Sequence, residues 1–324
     1  YAVDNDIILE EKFPKKLSDF HFFKDTHAQI PSKGAVPYEL ISSLFSDYSY
    51  KQRWVYIPEG KKASFRKDKV FDFPVGSALI KTFYYPVDER DLSIGKKLLE
   101  TRLLLRKTNG WEAVSYAWNE SQNEAIIKKA GKTIITDWID FKGESRSVRY
   151  RVPNKNQCKE CHLKDDAVEP IGPKPRNINK SISYQNGIES NQIDHWSALG
   201  LLEQRIYSDE SMVDAFDQNY DINLRARSYL DINCGHCHSP EGSASSSGLY
   251  LSIDDKQFGV FKKPVAAGRG SGGLSYSIVP GQAEESIILF RMLSNEPDIM
   301  MPESGRSLTH YEAIEMIAEW IEEM

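Results

Sequence analysis

Between residues 35 and 152, apolar positions come in short runs rich in β-branched and aromatic residues, broken by turn residues. Runs at 54–57, 70–73, 78–85, 98–106, 111–118, 134–141 and 148–152 predict strands, because alternating side chains of these types fit a pleated, half-buried surface. Asn109-Gly110 tolerates positive φ and predicts a hairpin turn before Trp111. Strands at this spacing point to a β-rich, sandwich-like domain over residues 1–152. Four of the six tryptophans, Trp54, Trp111, Trp118 and Trp138, fall in this stretch and are expected in its core.

After Val152-Pro153 the pattern changes. Helical spacing occurs at 191–202, 222–232, 284–293 and 311–323, where Ile314, Ile317, Ala318 and Ile321 recur every three or four positions. Residues 239–280 are rich in Ser and Gly and predict a long loop, with room for a short hairpin. The expected fold class is α+β, with a β-rich N-terminal domain followed by mainly α-helical modules at 153–215 and 216–324.

Charge narrows the range of partners. The formal charge of −6 is spread over 47 acids and 41 bases without long runs of one sign, so the chain has no footprint for nucleic acid or an anionic membrane. No apolar run approaches the roughly 20 residues that span a bilayer. Tyr1-Ala2-Val3-Asp4 lacks the basic and apolar regions of a leader, so a soluble chain whose leader is absent is expected.

The candidate chemistry lies in the cysteines. All four sit in two Cys-x-x-Cys-His motifs, Cys158-Lys159-Glu160-Cys161-His162 and Cys234-Gly235-His236-Cys237-His238. Two cysteines three positions apart can hold a haem through two thioethers, and the histidine that follows can then swing under the ring to bind iron. The 72 residues from 162 to 233 between the pairs suit a four-cysteine zinc site poorly, and such a site would not explain the histidines. A thioredoxin-like dithiol would open a helix in a βαβ setting, which is missing. The expected cofactors are therefore two covalently bound haem c groups with iron. Cys158, Cys161, Cys234 and Cys237 attach them, and His162 and His238 are the proximal ligands. His236, inside the second motif, is expected to be exposed. A backbone carbonyl near Pro240 is expected to accept the Nδ1 proton of His238.

The run Tyr229-Leu230-Asp231-Ile232-Asn233 enters the second motif as a helix, and Met300-Met301-Pro302 precedes a closing helix that holds Trp320. In this order, residues 222–324 resemble the cytochrome c-like domains of bacterial diheme proteins. The whole chain is similar to an uncharacterised family of extracytoplasmic bacterial diheme c-type cytochromes with a β-rich N-terminal region. Leu44-Phe45-Ser46-Asp47-Tyr48, Ile80-Lys81-Thr82-Phe83, Glu100-Thr101-Arg102 and Tyr116-Ala117-Trp118-Asn119 carry that wider likeness. The resemblance implies a periplasmic or otherwise extracytoplasmic redox protein, without naming a substrate.

It also implies Met301, directly before Pro302, as the distal ligand of the second haem, with Met300 as its rival. No such signature follows His162. Met212, in the acidic run from Asp209, stands beside His195, His21, His27, another residue of the β-rich domain and an open position as alternatives for the first haem. The functional expectation is extracytoplasmic electron transfer with a redox partner protein or a small-molecule donor or acceptor. A haem enzyme with an open first haem, peroxidase-like or acting on another substrate, and a redox-sensing binding module are the alternatives. No phosphate-binding loop, catalytic triad or metalloprotease motif supports other chemistry.

Overall fold

The computed structural model describes residues 3–67, 69–184, 187–204, 210–256, 259, 264–265 and 267–324. Strand accounts for 27% of the chain and helix for 23%. The described chain divides into two compact units that are not consecutive in sequence: 1–40, 49–159 and 173–211 in the first, and 41–48, 160–172 and 212–324 in the second.

In the first unit, helix α1 (Asn5–Leu9) is capped by Asp4, whose carboxylate accepts from the Asp6 and Ile7 amides. A short pair, β1 (Phe23–Asp25) and β2 (Ile30–Pro31), leads into the main sheet. That sheet is an antiparallel meander of β3 (Ala35–Pro37), β4 (Tyr50–Tyr56), β5 (Ala78–Pro86), β6 (Lys96–Lys107), β7 (Gly110–Trp118) and β8 (Ala125–Ile127), each paired with the next. Register fixes its two faces. Trp54, Ile80, Leu103 and Val114 lie opposite one another across four strands and all join the buried core. The N-terminal segment covers this face. Phe23 meets Trp54 edge-on at 4.9 Å, and Phe20 stacks on Phe22 at 5.2 Å.

The opposite face carries a hairpin of β9 (Lys132–Ile139) and β10 (Ser145–Val152). Trp138 packs on Tyr85 at 4.6 Å and Tyr150 on Phe83 at 6.0 Å. In place of the expected sandwich-like arrangement, the strands form one six-stranded meander and several two-stranded pairs. Residues 70–73 make only an isolated bridge, Ser64 to Asp72, since Pro74 follows and interrupts the ladder. The β6–β7 turn is one position earlier than predicted, with Lys107 paired to Gly110. Gly110 takes φ 130°, a conformation that favours glycine.

Beyond the hairpin, α2 (Lys155–His162) carries the first motif. The strand pairs β11 (Leu163–Lys164) with β12 (Ala167–Val168), and β13 (Ser181–Ser183) with β14 (Glu189–Asn191), are interspersed with α3 (Pro175–Ile178) and α4 (Gln192–Ala198). The second unit then holds α5 (Ile222–Asn233), α6 (Ile287–Leu293) and α7 (Tyr311–Glu322). The expectation of mainly α-helical haem modules is therefore overturned. Helices are few, of 12, 7 and 12 residues in the last stretch, and the Ser- and Gly-rich chain between α5 and α6 is held by turns instead. Its only regular turns among the described residues are 3₁₀ segments at Ser245–Ser247, Gly268–Ser271 and Ala283–Glu285. Seven residues of that loop, 257–258, 260–263 and 266, lie outside the described residues.

The three helices do bury one core. Ala226, Tyr229 and Leu230 of α5, Leu289 and Met292 of α6, and Ile314, Ile317 and Trp320 of α7 form it. Trp320 donates its indole N–H to Asn223 at 3.0 Å, so this polar atom is satisfied where α5 and α7 pack. Among the described residues no helix is long and apolar enough to cross a membrane.

Candidate functional site

Helix α5 ends at Cys234, whose N–H bonds the Leu230 carbonyl. The chain then makes one further turn, with the Cys237 and His238 amides donating to the Cys234 carbonyl at 3.1 and 2.8 Å. Two glycines make this turn possible. A Cβ on Gly242 would stand 2.2 Å from the Cys237 carbonyl oxygen, and one on Gly235 2.8 Å from that of Asp231. The second motif is thus wound so tightly against its own chain that no side chain fits at either position.

Each motif histidine is oriented by a backbone carbonyl. His162, buried, has Nδ1 2.7 Å from the Glu169 carbonyl oxygen, and the Glu169 amide returns a bond to the His162 carbonyl at 2.7 Å. His238 has Nδ1 3.2 Å from the Leu249 carbonyl oxygen and 3.3 Å from the Ser247 hydroxyl. Since a carbonyl only accepts, each ring carries its proton on Nδ1 and the lone pair falls on Nε2. Iron-ligating histidines are commonly oriented in this way. The acceptor for His238 is Leu249, and not a carbonyl near Pro240, because the loop folds back to place the Leu251 amide on the His238 carbonyl at 2.9 Å. Burial lowers the pKa of His238 to about 4 against the opposing bond to Leu249, with the charges of His236 and Arg291 adding to the fall. The ring is therefore neutral near pH 7, as a metal ligand must be.

The second half of the first motif meets the second motif. The Cys161 and Cys237 thiols share a hydrogen bond, and Cys237 Sγ also reaches the Glu160 carbonyl at 3.7 Å. Ser243 donates to the same carbonyl at 3.4 Å, and Lys164 bridges to Gly242. The shared bond raises Cys161 to about 12, helped by burial, and lowers Cys237 to about 7 against burial. Burial, with the charge of Cys237 adding to it, raises Cys234 to about 12. None of the four cysteines is in a disulfide, and Cys158, on α2, is the least exposed. His236 is 7% exposed, not on the surface, because its ring turns inward beside Cys161. Its Nδ1 is buried without a hydrogen-bond partner.

Met301 is half-buried on a loop whose shape is set by Arg306, which had no signal in the sequence. The Arg306 guanidinium bonds the Met301 carbonyl through Nε at 3.1 Å and Nη2 at 2.9 Å, and also the carbonyls of Ser294 at 2.7 Å and Leu308 at 3.2 Å. The Met301 amide donates to the Arg291 carbonyl at 3.0 Å, and Arg291 is the residue whose charge His238 feels. The Met300 amide is held instead by Glu296 at 2.9 Å. Met212 is buried in the second unit. His195, in the first unit, stacks on Tyr184 at 3.7 Å. His21 and His27 are exposed in that unit's N-terminal segment, where His27 bonds the Gln122 carbonyl. Asp209 lies outside the described residues.

Among the described residues no group of three or more His, Cys, Asp or Glu side chains is arranged to hold a metal ion. A haem needs no such cluster, since the porphyrin supplies four iron ligands and the protein only the axial ones. The two thiol pairs outside any disulfide, the Nδ1–H tautomers and the neutral His238 fit haem c. No family model matches this chain, and neither a curated protein nor a solved structure matches it.

Proposed function

We propose that the chain is a diheme c-type cytochrome of the extracytoplasmic space that transfers electrons between a protein or small-molecule donor and an acceptor, and that it belongs with the diheme cytochromes it resembles. The observation that carries this reading is the paired geometry of the motif histidines. Both His162 and His238 give their Nδ1 proton to a backbone carbonyl and keep Nε2 for iron. When bound, haem c supplies a one-electron iron couple.

The chain's own part is attachment and positioning. Cys158 and Cys161 hold one group and Cys234 and Cys237 the other, while Arg306 and Arg291 hold the backbone of Met301, the candidate sixth ligand of the second. The closeness of Cys161 to Cys237, which share a hydrogen bond as thiols, favours electron transfer over an isolated binding role, because one attachment point of each motif stands beside the other. Intact-mass spectrometry and a pyridine haemochrome assay on protein matured with a haem c assembly pathway test the reading. Two haems retained per denatured chain are expected, and none would overturn it.

A further inference from the structure

The face of the main sheet opposite its core carries a row of cations. Arg53, Lys81 and Arg102 lie directly opposite one another on β4, β5 and β6, and Ser115 continues the row on β7. Like charges facing each other across adjacent strands are destabilising, so such a row is costly unless something neutralises it. The neighbouring carboxylate, Glu100, is already committed. Fully buried, it takes a bidentate pair from Arg102 at 2.9 and 3.0 Å and a bond from the Tyr150 hydroxyl at 2.9 Å.

Lys81, at the centre of the row, has no direct salt bridge or hydrogen bond among the described residues; its Nζ stands 4.9 Å from the Phe83 ring, and Glu100 acts on it only at longer range. Ser115 is 4% exposed, and its hydroxyl is buried with no hydrogen-bond partner. The same Ser115 lines a cleft together with Cys158, the lysines Lys12, Lys128, Lys129 and Lys155, and two glutamates, Glu11 and Glu112, of which Glu112 is paired with Lys107 and Lys155. Cys158 is close enough for its charge to act on both Lys81 and Arg102. A central cation with no direct salt bridge, an unsatisfied buried hydroxyl and an adjoining cleft with more lysines than glutamates lie together on this face.

We infer that Arg53, Lys81, Arg102 and Ser115 form a binding site for a carboxylate anion beside Cys158. Two sources share that chemistry. One is a propionate of the haem attached at Cys158, which rests on the function proposed above. The other is a free small polycarboxylate, which does not. Lys81 supplies the central positive charge, Arg102 and Arg53 flank it, and Ser115 donates a hydrogen bond.

The test compares wild type, Lys81→Met and Ser115→Ala as full-length, haem-matured chains, by redox titration and by calorimetric titration with citrate. If a propionate occupies the site, Lys81→Met moves the midpoint of one haem to more negative values, since a cation beside the group favours its reduced, less positive state, and citrate does not bind wild type. If the ligand is free, wild type binds one citrate per chain, Lys81→Met weakens it at least tenfold, and both midpoints stay put without citrate. Ser115→Ala, which removes a single oxygen atom, weakens whichever effect appears by a smaller factor, so the inference does not rest on one variant. Unchanged midpoints and unchanged citrate behaviour in both variants overturn it. A haemochrome assay on the same samples separates failure of the haem reading from failure of the anion site, since citrate binding is read whether or not haem is present.

Discussion

Arg306 grips the carbonyl oxygen of Met301 with two guanidinium nitrogens, at 2.9 and 3.1 Å. The same side chain bonds the carbonyls of Ser294 and Leu308 and the Asn295 side chain, so one buried residue ties the chain after α6 to the chain before α7. Arg306→Gln leaves several of these buried carbonyls unpaired. It is expected to cost about 3 kcal/mol, because hydrogen bonds to charged groups are worth more than neutral ones. Arg306→Lys keeps the charge but lacks the planar fork and is expected to recover only part of the loss. Denaturant titration measures the cost. The long-wavelength methionine–iron band of the oxidised protein, expected to be lost in both variants while they remain folded, tells a positioning role from a purely structural one.

Met301→Ala is expected to abolish that band and to lower the potential of the second haem, whereas Met300→Ala preserves both. The two backbones are held differently. Met301 is tied to Arg291 and Arg306, and Met300 to Glu296 in the preceding turn. A band that survives Met301→Ala and disappears in Met300→Ala reassigns the ligand.

Gly242→Ala drives a methyl group to within 2.2 Å of the Cys237 carbonyl oxygen, a backbone atom that cannot rotate away. The expected outcome is a destabilisation of about 1–3 kcal/mol and a fall from two haems to one per chain, because the second motif no longer forms its turn. Gly248→Ala, with open space around its Cβ but φ 67°, is the control for backbone strain alone and is expected to keep both haems.

The strands were largely legible because each main-sheet strand has one face in the core, and a period of two is then written into its residues, as in Trp54, Ile80, Leu103 and Val114. The helices around the motifs are fewer than the spacing predicts. Apolar residues at helical spacing mark where a helix packs, but a Ser- and Gly-rich chain closes the rest of the second unit through turns whose partners are backbone atoms. The acceptors of the two motif histidines, at Glu169 and Leu249, are backbone carbonyls and leave no trace in residue type. His236 was misplaced because polarity alone suggests exposure, while the tight turn around Gly235 and Gly242 turns its ring inward. The cation row needed strand register, since Arg53, Lys81 and Arg102 are far apart in sequence and become neighbours only when β4, β5 and β6 pair.

Lys81 gives the chain a pH dependence whose sign can be worked out. Burial, with repulsion from Arg102 and Arg53 outweighing attraction from Glu100 and Cys158, lowers its pKa from 10.5 to about 7. The groups that act on it are Arg53 on β4, Arg102 and Glu100 on β6 and Cys158 on α2, and Tyr150 on β10 bonds Glu100. Tyr150 stays protonated because burial and Glu100 push its pKa well above the usual value. Below about pH 7, Lys81 is charged in both folded and unfolded chains, and the folded state bears the full cost of the buried charge. Between about 7 and 10.5 the folded residue is neutral while the unfolded one keeps its proton, so unfolding takes up a proton and stability rises with pH through that window. Lys81 is half-buried, so solvent screens part of the effect, and a gain of about 1 kcal/mol is expected. Denaturant titrations at pH 7 and pH 9, in buffer free of carboxylates, are to be run on wild type and Lys81→Met side by side. Groups common to both chains cancel in the difference. Lys81→Met is expected to be the more stable at pH 7 with its advantage shrinking by pH 9, and an advantage that stays constant or grows with pH would mean that Lys81 keeps its proton through the window.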